Sequence, residues 1–371
     1  MARRLFFVSL LIFQIFSFSY AQNYEIDIPE EFELLDSDDD GKGFMLFNQS
    51  AKTFCVIRES AEYRSAEQAL SAMIQKMGAK AAIKRIQWNH NDCAVTQSFA
   101  WVLNGEQKSG RATAIPERDG KNIIIVICFG DGSQLSKMMC DSIVDSVSVD
   151  RAGKFSPGII TALLYPQGEE KEIALEIDGK RILTAIDQNA ENAEKYVISR
   201  EFEIMKAFIS SPKWKEAWIR YYNQIYRTAY FYLQRPAFDI ATVIYQSDTQ
   251  FSAAILNWLQ YFDYERSENA NDADFVPATT AIQTKHNDCD SRSIILAAIL
   301  NQTAVPATVF VSRDYSHMIA GVNLKDAGFK IQGANKDFYL TAETTSKGLS
   351  LGRIPADIAD RSKWIDIQIP R

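Results

Sequence analysis

The chain has few histidines, only His90, His286 and His317, and five cysteines in 371 residues. Three scattered histidines and one unpaired cysteine do not make a metal-ligand set, so no metal or cofactor is implied. Clustered positive charge is missing as well. The formal charge is −7, and no basic run interrupts it. Nucleic acid is therefore not an expected partner, because phosphate binding needs grouped Lys and Arg. Long apolar runs are absent except at the start, where Arg3 and Arg4 precede the stretch Leu5 to Phe18 and Ser19-Tyr20-Ala21 follows it. That order is expected of a signal peptide cleaved after Ala21, because the run is shorter than the roughly 20 residues a spanning helix needs. The expected mature protein is secreted or periplasmic, without a membrane span, and without a lipid anchor because no cysteine follows the cleavage site.

An exported chain can keep disulfides. Cys55, Cys93, Cys128 and Cys140 all lie before residue 150 and allow up to two bridges in three connectivities. Cys289 is left over, either a buried filler or a nucleophile.

Hydrophobic residues make up 47% of the sequence, enough for two or three domains with cores of their own. The expected division is a signal peptide over 1–21, an α/β domain over 22–150, a linker and β-hairpin over 151–187, and a helical segment with a further α+β domain over 188–371. In the first domain, strand-like runs occur at Gly43 to Phe47, Thr53 to Arg58, Ala94 to Leu103, Gly110 to Ile115 and Asn122 to Phe129. The capping box Ser65 and Gln68 opens a helix that Gly78 ends, and a second helix is expected from Ser133 to about Val147. The hairpin is read from Ile159 to Tyr165 and Ile173 to Ile177, returning through Arg181 to Ile186. The segment Tyr264 to Thr284 reads as a loop.

Two features invite other readings. Asp36-Ser37-Asp38-Asp39-Asp40-Gly41 matches the first half of a calcium loop, but its twelfth position is Phe47 where a bidentate Glu is required, so an acidic turn is expected. Trp214, Trp218, Tyr222, Tyr226 and Tyr230 recur every four residues, a stripe that could bind sugar or lipid but that fits a helix packed into the core.

The segment His286-Asn287-Asp288-Cys289-Asp290-Ser291-Arg292 runs into an apolar helix through Leu300. Asn287 or Asp288 is a natural N-cap, which puts the thiol at a helix N-terminus, where the macrodipole favours thiolate. Asp288 and Asp290 oppose it. Of the possible bases, His90 lies in the other domain and His286 on the loop, whereas His317 opens the strand Met318 to Leu324 and can be presented rigidly to a helix end. A strand from Tyr339 ends in Glu343, an acid able to fix an imidazole in one tautomer.

The opening Glu25-Ile26-Asp27-Ile28-Pro29-Glu30-Glu31-Phe32, with the order of strands and helices after it, resembles the PsbP-like α/β sandwich. That resemblance implies binding or scaffolding for the first domain. Asn287 to Arg292, the apolar helix, Ala304-Val305-Pro306-Ala307, His317 at a strand start and Glu343-Thr344-Thr345 together resemble the transglutaminase-like domain of the papain-type superfamily, over about residues 240–371. The resemblance implies Cys289 as nucleophile, His317 as general base and Glu343 at the position usually held by an Asp. Two departures stand out: Asn287 replaces the usual Gly, and Glu343 is one methylene longer than Asp, which leaves Asp337 as another candidate for the third role. The implied reaction is acyl transfer on peptide or isopeptide bonds, with a peptide or protein substrate such as cell-envelope material. The rival reading is a non-catalytic binding or scaffolding protein built on the same fold.

Overall fold

The computed structural model describes residues 24–266 and 273–370, so the expected signal peptide lies outside the described residues. The fold is α+β. Its first unit comprises β1 (Phe32–Ser37), β2 (Gly43–Asn48), β3 (Thr53–Ser60), α1 (Ala66–Met77), β4 (Lys80–Trp88), β5 (Asn91–Leu103), β6 (Glu106–Pro116), β7 (Ile123–Gly130) and α2 (Gln134–Ser146). The seven strands form one antiparallel sheet in the order β1-β2-β3-β7-β6-β5-β4. Period-2 alternation gives β7 and its neighbours two apolar faces. Ala69, Leu70 and Ile74 of α1 cover one face with Ile125, Ile127 and Phe129, and Cys140, Ile143 and Val144 of α2 cover the other with Val126 and Cys128.

The helix boundaries follow local chemistry. Ser65 accepts from the Gln68 amide at the start of α1, and Gly78 ends the helix at φ 70°, a conformation with no Cβ penalty for glycine. The acidic turn after β1 is held by Arg58, which bonds Asp38 and, at 3.2 Å, Asp40. All five cysteines are free thiols, with Cys55 and Cys128 facing each other across β3 and β7.

After α2 come α3 (Arg151–Lys154), α4 (Ile159–Leu164), β8 (Glu170–Ile177), β9 (Lys180–Asp187), α5 (Ala190–Phe208), α6 (Trp214–Tyr232), α7 (Gln234–Ile244) and α8 (Asp248–Gln260). The hairpin is β8 with β9 alone, which corrects the strand expected at Ile159 to Tyr165. That segment is helical because the Asp145 carboxylate accepts from the amides of Ile160 (2.6 Å) and Thr161 (3.0 Å), capping the helix from outside it. Arg200 of α5 meets the same carboxylate at 2.6 Å, and Arg227 of α6 donates to the carbonyls of Ser156, Asp145 and Gly153. A fully desolvated network thus fixes α2, α5 and α6 to one another.

The last part contains β10 (Asp263–Tyr264), α9 (Ala278–Thr284), β11 (His286–Asn287), α10 (Cys289–Gln302), β12 (Ala307–Ser312), β13 (His317–Val322), β14 (Lys330–Gln332), β15 (Phe338–Ala342) and β16 (Ile365–Asp366). The five longer-range strands make an antiparallel sheet ordered β14-β15-β13-β12-β16. Against it packs α10, buried from Ser291 to Leu300 on every side because α6, α7, α8 and α9 surround the rest of it. Tyr222 and Tyr226 of the aromatic stripe belong to this core. The expected loop from Tyr264 to Thr284 is corrected by α9, whose first amides, Ala278 and Thr279, are capped by the buried Glu194 of α5.

Candidate active site

Asp288 caps α10: its carboxylate accepts from the Ser291 amide at 3.0 Å, and Cys289 is the first helical residue. The backbone N–H of Cys289 therefore has no acceptor within its helix. The thiol is 3% exposed and sits over the start of β13, where the Met318 backbone N–H hydrogen-bonds the sulfur. Helix and strand thus bring residues 289 and 317 together across 28 positions of sequence.

His317 Nε2 lies 2.7 Å from Glu343 Oε2. The other oxygen, Oε1, accepts from the Thr345 amide at 2.8 Å and its hydroxyl at 2.6 Å. Burial alone would raise the Glu343 pKa, but His317 and Thr345 outweigh it and hold the carboxyl below its usual range. An ionised Glu343 only accepts, so Nε2 carries the hydrogen and Nδ1 keeps a lone pair. Glu343 follows the end of β15, and its longer side chain still reaches His317. Asp337 is not at the site; it lies in the turn between β14 and β15, bonded to Asn335 at 2.8 Å. His286 is exposed, 3.7 Å from Glu265, and His90 lies in the β4–β5 turn.

The thiol itself departs from expectation. Sγ donates to Asp290 Oδ1 at 3.2 Å, and no hydrogen bond joins it to His317. Burial pushes the Cys289 thiol well above its ordinary value, and Asp290 and Asp288 push it further, while the Met318 N–H opposes them. The helix N-terminus does not win. A macrodipole effect near 1 kcal/mol is smaller than a buried like-charge contact. Asp288 is itself raised to about 8 by burial and by Asp290. Asp290 Oδ2 accepts from the Tyr222 hydroxyl, a partner on α6 that no local signal in the sequence identifies.

Arg292 shapes the floor. Its guanidinium donates to Asn287 Oδ1 at 2.6 Å, to the Phe262 carbonyl at 2.9 Å, to the Asn287 carbonyl at 3.2 Å and to the Thr344 carbonyl at 3.4 Å. It therefore ties the segment after α8, β11 and the segment after β15 to α10. Asn287 does not use left-handed backbone angles; Lys285 does, at φ 58°, so the turn that a glycine would ease lies two residues earlier. With Oδ1 engaged, Asn287 Nδ2 is buried without an acceptor.

The rim is aromatic. Trp364 stands edge-on to His317 with ring centres 6.3 Å apart, and Tyr315 lies 5.5 Å from Trp364. Tyr264 pairs with Asn287 on the short parallel strands and remains half exposed. A cavity of about 350 Å³ lies elsewhere, between α2 and α5, lined by residues that include Asp141, Tyr196 and Arg200. As to metals, Asp288, Cys289 and Asp290 bring their donor atoms within 4.8 Å of one another, but the Cys289 and Asp290 atoms are already bonded to each other.

No protein-family model and no curated protein matches the chain. Among solved structures, the Saccharomyces cerevisiae Ran-binding protein Mog1p is 8% identical over 35% of this chain and 92% of its own, with a TM-score of 0.27. A putative regulator of unknown function from Pseudomonas aeruginosa is 13% identical over 32% of this chain and 76% of its own, at 0.20. LpqN of Mycobacterium tuberculosis, involved in cell envelope biogenesis, is 9% identical over 34% of this chain and 82% of its own, at 0.25. At TM-scores this low, none of these likenesses bears on the fold or the function of this chain.

Proposed function

We propose that the chain is an exported cysteine acyl-transfer enzyme of the transglutaminase-like kind, acting on peptide or isopeptide bonds through Cys289, His317 and Glu343. One observation carries the reading: the His317–Glu343 bond of 2.7 Å uses Nε2 and leaves the basic Nδ1 of a ring that begins the strand beneath the Cys289 sulfur. A carboxylate-oriented imidazole at the start of the strand packed against that helix is the base and orienting acid a cysteine nucleophile needs.

In this reaction Sγ attacks a carbonyl carbon, and its proton passes to His317 Nδ1. The ring returns that proton to the leaving amine as the C–N bond breaks. The resulting thioester on Cys289 is then resolved by water or by a second amine. Negative charge on the carbonyl oxygen is met by the Cys289 backbone N–H at the helix start. Glu343 keeps the ring in its Nε2–H tautomer and offsets the charge it takes up. The substrates are peptide or protein, and cell-envelope material suits an exported enzyme.

The second reading, a binding or scaffolding protein on the same fold, draws on the Sγ–Asp290 bond and the raised thiol. The two separate on amine release. Incubation of the full chain with peptide and glutamine-amide libraries, read by mass spectrometry, is expected to give products that disappear in Cys289→Ala and His317→Ala. Binding without turnover, equal in all three proteins, would favour the scaffold.

A further inference from the structure

We propose that Asp290, held by Tyr222, keeps Cys289 as an uncharged thiol until an acyl substrate is bound. The site would then rest without a thiolate–imidazolium pair. The inference builds on the acyl-transfer reading and adds a residue that touches the reacting sulfur.

The geometry is specific. Asp290 Oδ1 accepts from Sγ at 3.2 Å and Oδ2 accepts from Tyr222 Oη, so both oxygens act as acceptors, as in an ionised carboxylate; burial raises the Asp290 carboxyl, and the Tyr222 and Cys289 donors work against that rise. A thiolate in the same place would face that carboxylate with no donor between them. The thiol hydrogen is thus engaged by Asp290, and no hydrogen bond joins Sγ to His317.

The groups around the sulfur do not compensate. On α10, Asp288 adds a second acid. On α6, Tyr221 and Tyr222 are buried phenols, both pushed up first by burial and then by Asp290. On β10, Tyr264 is held at about 12 by burial and by Cys289. Arg266 is half exposed and paired with Asp274 at 2.6 Å, and Arg292 is committed to carbonyls and to Asn287. From β13 the sulfur receives the Met318 N–H, and His317 stands toward Asp290. Donors to the sulfur are thus backbone dipoles, against two nearby carboxyls.

On substrate binding the S–H bond breaks as the S–C bond forms, and the proton moves to His317 Nδ1 and then to the leaving nitrogen. Asp290 loses its thiol donor and remains an acceptor. Because oxidants attack the thiolate, a resting thiol resists conversion to sulfenic acid in an oxidising compartment.

The test is the rate of Cys289 alkylation by iodoacetamide against pH, followed on its own peptide by mass spectrometry in the full-length protein, with the urea-unfolded chain as reference. The native thiol is expected to titrate above the free value of about 8.5. In Asp290→Asn the apparent pKa should fall by about one unit or more, giving roughly tenfold faster alkylation near pH 7. Tyr222→Phe should shift it in the same direction by less, because Asp290 loses the bond that favours its ionised form. Profiles of both variants that superimpose on the native one, or that move upward, would overturn the proposal, as would a native pKa well below 8.5. If Asp290→Asn does not fold, Tyr222→Phe decides alone. The profile needs no substrate, so absent amide cleavage would count against the acyl-transfer reading and leave this inference standing on its own result.

Discussion

Replacing Glu343 by Gln changes one atom type at the most constrained point of the site. Oε1 accepts from the Thr345 amide at 2.8 Å and from its hydroxyl at 2.6 Å, so the amide oxygen of Gln must stay there. Turning the side chain over would set its NH₂ against the Thr345 N–H, two donors in a buried place, at a cost of about 1–3 kcal/mol. The NH₂ therefore faces His317 Nε2, now across the 2.7 Å gap, and Nε2 must accept. The ring hydrogen moves to Nδ1, where the lone pair is needed to take the thiol proton. A tautomer error of this kind lowers kcat by about ten-thousandfold in serine hydrolases with the same arrangement. The assay is turnover of an activated peptide ester, with a urea melt to establish folding. Glu343→Asp keeps the charge and shortens the reach, so it should lose much less. Activity of Glu343→Gln within tenfold of the native protein, with an unchanged pH profile, would refute the role given to Glu343.

Arg292→Lys should cost about 3–5 kcal/mol in urea unfolding, because an ammonium cannot serve the acceptors on Asn287, Phe262 and Thr344 at once and leaves buried carbonyls unpaired. Gly321→Ala should cost about 1–3 kcal/mol, since a Cβ there would stand 2.5 Å from the Phe310 ring and 2.8 Å from Tyr339 Cβ. The pH dependence has a definite sign. Burial raises Glu194 and Glu30 to about 7 against 4.5 unfolded, so their contribution is full below the unfolded value and is lost as pH rises through about 7. The urea midpoint should therefore be higher at pH 5 than at pH 8, and Glu194→Gln should flatten that slope. Below pH 4.5 the opposite loss begins, as Glu343, held low by His317, becomes protonated.

What the sequence disclosed depended on whether the deciding contact was local. Ser65 and Gly78 bracket α1 within their own segment, and the apolar run after Cys289 announces α10 without help. By contrast, α4 is capped by Asp145 of α2, fifteen residues before Ile160, and α9 by Glu194 from more than eighty residues away. In neither case does the capping acid stand at the N-cap position of the helix that it caps. β4 gives no clear strand signal because a bulge between Ala82 and Ile83 breaks its alternation. At the site, Cys289, His317 and Glu343 could be named because each ends or begins an element whose type is legible. The direction of the thiol shift was not legible: it turns first on the burial of Cys289 and then on Asp290, whose partner Tyr222 meets it only when α6 packs against α10.

The central claim is that Cys289 carries an acyl group during turnover. The most direct measurement is rapid acid quenching of the full chain with a p-nitrophenyl peptide ester, followed by peptide mapping. A burst of one p-nitrophenolate per chain is expected, with the acyl mass on the Cys289 peptide alone, slowed in His317→Ala and absent in Cys289→Ala. Ester turnover that survives Cys289→Ala, or acyl mass spread over Cys55, Cys93, Cys128 and Cys140 as well, would contradict it.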